Sequence, residues 1–84
     1  ISGQSIKVVN QQDEPIEGAV IISANSRAVT NKDGEFNLIS FMNADSIKVQ
    51  HLAYQIKTVS IREIKRKRKI VLIGKEFTTK EVKV

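Results

Sequence analysis

Thr30-Asn31-Lys32-Asp33-Gly34-Glu35-Phe36 is the stretch that most limits what this chain can fold into. An Asp-Gly pair between extended runs signals a hairpin, because Gly enters positive φ without a Cβ clash and Asp tolerates such turns. The following run alternates through Phe36 and Leu38, and those side chains fix the register. A slip of one residue would carry both from core to water, at about 1.5 to 3 kcal/mol each. Glu14-Pro15-Ile16-Glu17-Gly18-Ala19 is a second fixed point. Pro15 holds φ at about −65°, and Gly18 gives the backbone room just ahead of a strand.

Around these turns the chain reads as short strands at close intervals, the pattern of an all-β sandwich or barrel. Residues 5–9 form the first, with Ile6 and Val8 on one face, Lys7 on the other and Val9 breaking the alternation. Residues 10–14 are a polar connection to Pro15. Residues 19–23 are almost continuously apolar, which suits a strand covered on both faces or one whose second apolar face is left for a partner. Buried central strands are the commoner, so the covered form is expected. Residues 27–30 lead into the hairpin and 35–39 return from it. The loop 40–45 caps the core with Phe41 and Met42.

Residues 46–52 place Ile47 and Val49 on one face with His51, and Lys48 and Gln50 on the other. Ala53-Tyr54 turns the chain into 55–61, with Val59 and Ile61 inward. Residues 62–68 are a short helix or a loop, and 69–73 a last strand ended by Gly74. This divides the chain into a sandwich domain, 1–74, and a charged segment, 75–84, that forms an edge strand or a linker to a following domain.

The 84 residues suffice for one core, at a size where about 60% of the unfolded surface can be buried. Apolar residues are mainly Ile and Val, which suit pleated surfaces. The lack of cysteine removes disulfides and thiolate metal sites. No apolar run approaches the roughly 18 residues of a membrane-spanning helix, and Ile1-Ser2-Gly3 does not read as a signal peptide. A formal charge of +5 attracts anionic partners without choosing among them.

No constellation for catalysis emerges. His51 is the lone imidazole and sits mid-strand, which suits a hydrogen-bonded rim residue better than a base lacking its nucleophile. Asn31, Asp33 and Glu35 alternate in a way that suggests calcium, but their spacing is not that of an EF-hand and turn chemistry already accounts for them. Neither a zinc ligand set nor a marked carboxylate pair is visible. No catalytic residue, cofactor or metal is therefore expected. The conspicuous charged feature is Lys65-Arg66-Lys67-Arg68-Lys69. It reads first as a solvated run that discourages edge pairing, and second as a contact for an anionic surface. Nucleic acid is not expected, because no aromatic residue is interleaved for base stacking.

Taken together, Val8-Val9-Asn10, the Pro15-Ile16-Glu17-Gly18-Ala19 turn, the Thr30-to-Phe36 turn and Ile47-Lys48-Val49 leading to Tyr54 resemble the carboxypeptidase regulatory-like domain. That pattern runs from a Gly-x-Val-x-Asp strand through Pro-Leu-x-Gly-Ala and Thr-Asp-x-x-Gly-x-Phe to Gly-Tyr. Val8, Pro15, Gly18, Ala19, Thr30, Gly34, Phe36 and Tyr54 stand where it asks for them. Ile6, Asn10, Asp13, Asn31 and Ala53 depart from it, Asp13 standing where a turn Gly is common.

The resemblance implies a seven-stranded Greek-key β-sandwich of the transthyretin (prealbumin) type. It also implies a non-catalytic accessory domain, abundant in Bacteroidota at the N-terminus of TonB-dependent outer-membrane receptors of the SusC type. Such a domain lies in the periplasm, is monomeric in isolation, and contacts the plug and barrel of its parent or other envelope proteins through an exposed edge strand. Anionic lipid is then a candidate for the basic run. Lys80-Glu81-Val82-Lys83-Val84 is similar to the short segment leading to the plug in those receptors. The alternatives are a module appended to a peptidase or carbohydrate-active enzyme, a basic module for anionic surfaces, and a sugar binder, for which aromatics are few.

Overall fold

The computed structural model describes residues 5–75. Its strands are β1 (Ser5–Val9), β2 (Val20–Ile22), β3 (Arg27–Val29), β4 (Glu35–Asn37), β5 (Ser46–His51), β6 (Tyr54–Ser60) and β7 (Lys69–Val71). A 3-10 turn spans Leu38–Phe41, and one helix, α1, spans Ile61–Lys67. The chain is predominantly β and forms two sheets, ordered β4-β1-β7 and β3-β2-β5-β6. In the three-stranded sheet β1 runs antiparallel to β4 and parallel to β7. The expectation of an edge strand or linker beyond Lys75 lies outside the described residues.

Alternation decides which side chains fill the core. Ile6 and Val8 of β1, Ile21 of β2, and Ile47 and Val49 of β5 are buried, as are Phe36, Leu38 and Phe41. The Phe36 and Phe41 rings meet edge to face at 5.9 Å, a geometry favoured by the ring quadrupoles. Met42 does not share the core with Phe41. The 3-10 turn ends just before it, leaving Met42 and Ile39 exposed. The covered reading of β2 does not hold either, since Ile21 faces the core while Val20 and Ile22, on the other face, are half-buried.

The Asp33-Gly34 turn is not a hairpin. β3 pairs with β2 and β4 with β1, so the turn carries the chain from one sheet to the other. The Asn31 side-chain oxygen accepts from the amides of Asp33 at 2.9 Å and Glu35 at 3.0 Å, and the Gly34 amide donates to the Asn31 carbonyl at 2.9 Å. Asp-Gly specifies a local backbone path, with Gly34 at φ +75, and that path serves a corner as well as a hairpin.

This corner packs against the other early turn. The Gly34 carbonyl accepts from the Val8 amide at 2.7 Å, and the Ile16 amide donates to the Val8 carbonyl at 2.9 Å. A Cβ on Gly34 would lie 2.7 Å from the Val8 carbonyl oxygen and 3.0 Å from both the Ile16 nitrogen and the Pro15 Cβ. Buried Thr30 closes the cluster: its hydroxyl donates to the Ile16 carbonyl at 2.7 Å and accepts from the Ala19 amide at 2.9 Å.

β6 stops at Ser60, one residue short of the expected end, because Ser60 caps α1 by accepting from the Glu63 amide at 3.2 Å. Ile61 is thus the first helical residue, and with Ile64 it buries the inner face of α1. The helix form of 62–68 is the one adopted, and β7 is shorter than the expected 69–73.

Two substitutions separate backbone conformation from packing. Gly18 also has positive φ but open space around it, so Gly18→Ala should cost about 1 kcal/mol in urea unfolding. Gly34→Ala should cost about 3 kcal/mol or more, since neighbouring backbone must also move. Thr30→Val, which strands two buried backbone groups, should cost about 2 to 4 kcal/mol, against about 1 for Thr30→Ser.

Candidate interaction surfaces

Each ring nitrogen of His51 is spent on backbone. Nδ1 accepts from the Ala53 amide at 3.1 Å, which leaves Nε2–H to donate to the Glu17 carbonyl, also at 3.1 Å. The ring meets Tyr54 edge to face at 5.2 Å. His51 ends β5 opposite Tyr54, just past an irregularity in the β5–β6 register. It lies at the rim, half-buried, with its ring oriented by these partners. Asn31, Asp33 and Glu35 serve the corner in the same manner, through the Asn31 side chain. Among the described residues no group of three His, Cys, Asp or Glu could hold a metal ion.

The structural turn residues divide by task. Pro15 bridges to Val9, and Tyr54, half-buried, bridges to Gly74. Ala19, Gly34 and Phe36 are buried, while Gly18 and Asp33 are exposed. The basic run divides as well. Lys65, Arg66 and Lys67 lie in the last turn of α1, where positive charge complements the helix dipole. Arg68 is the C-cap, at φ +57, and its amide donates to the Ile64 carbonyl. Lys67 pairs with Glu63 at 3.3 Å, and Lys69, already in β7, pairs with Asp13 at 2.9 Å.

Arg62, outside the run, joins Lys65 and Arg66 on one exposed face through the i, i+3, i+4 spacing. Reading the run as contiguous charge missed it. The Ser60-Ile61-Arg62-Glu63 capping box was the signal that would have set the helix start and thereby this face.

Three surfaces can meet a partner. The outer face of the four-stranded sheet carries Val20, Ile22, Val29 and Ile56, and beside it a shallow depression of about 350 Å³ is lined by Val20, Gln50, His51, Ile56 and Leu52, the last 87% exposed. The sheet edges form the second. β3 pairs only with β2, and along β6 the partner segment reaches Gln55, whose amide donates to the Ile73 carbonyl at 2.8 Å. Beyond it the Lys57 ammonium, rather than a backbone group, reaches the Val71 carbonyl. The third surface is the end of the sandwich where the 3-10 turn and α1 meet. There, Met42, Arg62 and Lys65 share a depression of about 420 Å³ with Asp45.

With the fold and surfaces in view, comparison with known protein families and with curated proteins gives no match.

The Asp13–Lys69 pair ties the 10–14 connection to β7. The hydrogen bond from Lys69, then its charge and that of Lys7, hold the Asp13 carboxyl below its ordinary value of 3.8. Stability from this pair is complete above 3.8 and is lost as pH falls through the lowered native value. The higher urea midpoint of the wild-type protein over Lys69→Met, measured at about pH 6, should therefore shrink as the pH is lowered below 3.8.

Proposed function

We propose that the chain is a non-catalytic interaction domain of the carboxypeptidase regulatory-like type, with the seven-stranded Greek-key topology of transthyretin. In this reading it is the N-terminal periplasmic domain of a TonB-dependent outer-membrane receptor that takes up nutrients. The observation that carries the reading is the cluster of Pro15, Ala19, Thr30 and Gly34. These residues, spread along the sequence, are ones on which the resemblance rests, and they meet at one place in the fold. A second feature agrees. Asp13, standing where the pattern commonly has Gly, takes the left-handed conformation at φ +67 that Gly would take without strain.

The mechanism is recognition by a rigid surface. An edge strand offers main-chain donors and acceptors to an extended segment of the plug or of another envelope protein, and neighbouring side chains select it. β3 is suited to this, because one of its sides has no strand partner among the described residues. His51, with both ring nitrogens engaged, does not supply a general base here.

The coding sequence beyond Val84 tests the reading. A plug followed by a long series of amphipathic strands is expected, together with recovery of the full-length protein in the outer-membrane fraction. A catalytic domain bearing zinc ligands or paired carboxylates in that position would replace this reading with the appended enzyme module.

A further inference from the structure

We propose that the end of the sandwich built by the 3-10 turn and α1 docks on an anionic lipid surface, with Ile39 and Met42 entering the interface and Arg62, Lys65 and Arg66 meeting headgroup phosphates. This goes beyond the receptor reading and does not rest on it.

Two of the four connections that cross between the sheets lie at this end: residues 38–45 between β4 and β5, and α1 between β6 and β7. They touch, since the Ile61 amide donates to the Asp45 carbonyl at 3.0 Å. Charge there is uncommitted, unlike that of several neighbouring lysines. Lys67 and Lys69 have carboxylate partners, and Lys57 has a carbonyl. Arg62, Lys65 and Arg66 make no ion pair among the described residues, and helical spacing gathers them on one exposed face of α1. Asp45 is the one carboxylate lining the depression, against two cations there.

Apolar side chains stand beside this charge. Ile39 is 60% exposed and Met42 36% exposed, and Met42 lines the same depression as Arg62 and Lys65. A polyanion such as nucleic acid has no use for exposed aliphatic groups and would call for stacking aromatics, yet Phe36 and Phe41 are buried and Tyr54 packs on His51. Aliphatic side chains next to arginine and lysine match the boundary between headgroup and acyl chain, where apolar burial adds to attraction by anionic lipid.

Flotation of the 84-residue chain with vesicles tests this, using phosphatidylcholine alone and phosphatidylcholine mixed with phosphatidylglycerol. Binding to the mixed vesicles only is expected. The triple variant Arg62→Gln/Lys65→Gln/Arg66→Gln should lower partition roughly fivefold per charge removed. Lys32→Gln/Lys48→Gln/Lys75→Gln, of equal net charge, should change it less than about twofold, since Lys32 lies in the corner at Gly34 and Lys75 beside the β5–β6 turn, away from α1. Ile39→Ser/Met42→Ser should abolish the binding that persists at about 0.15 M salt; if that pair does not fold, Ile39→Ser alone should weaken it. Equal losses in the two triple variants would mean net charge alone and overturn the proposal. So would no partition into mixed vesicles, or an oligonucleotide affinity that depends on Arg62, Lys65 and Arg66 while the serine variants leave vesicle binding unchanged.

Discussion

The missing side chain at Gly34 is the constraint on which the rest of the structure depends. Because nothing projects from that Cα, the corner between the sheets lies directly on β1, with its carbonyl on the Val8 amide and Pro15 at van der Waals distance. The other side of the contact is closed by Thr30, which ties the end of β3 to the 16–19 turn through its hydroxyl and through the Gly18–Thr30 and Thr30–Ala19 backbone bonds. Two sheets that share no ladder are thereby linked by hydrogen bonds as well as by apolar burial. The backbone groups of this interior turn cluster have partners, as buried peptide groups must.

Much of this was legible in the sequence where the signal was a side-chain period. Ile6 and Val8, Ile47 and Val49, and Phe36 alternate into the core as the pattern requires. The expectations that failed concern what a local pattern does not encode. Asp33-Gly34 specifies a positive φ, and whether the flanking strands then pair with each other depends on β1 and β2, which lie well upstream. Val20 and Ile22 are apolar without being covered, because the one helix packs against β6 and β7 and leaves that face of the sheet aside. Met42 reads like Phe41 in a hydropathy pattern, yet the 3-10 turn buries one and presents the other.

The surfaces were less legible than the core, for a related reason. A run of five basic residues, 65–69, is contiguous in sequence, but helix, cap and strand send its members in different directions. Two of them are neutralised by carboxylates, one of which, Asp13, is far off in the chain. The face that remains is defined by helical spacing and recruits Arg62 from outside the run. Charge contiguity along a chain and charge contiguity on a surface are different quantities, and only knowledge of the element type converts one into the other.

The parallel pairing of β1 with β7 bears on how the polypeptide matures. The first described strand has as its neighbours β4 and the last described strand, whose register places Val8 opposite Ile70. A nascent chain emerging from the ribosome can close the β2–β3 and β5–β6 ladders early, yet β1 keeps one side open until residues 69–71 are outside. α1 is then the delivery arm, carrying the chain from one sheet to the other at the last step. Completion of this domain is therefore timed by its own end rather than its beginning, and a stalled product would present an unpaired hydrophobic strand to chaperones and proteases.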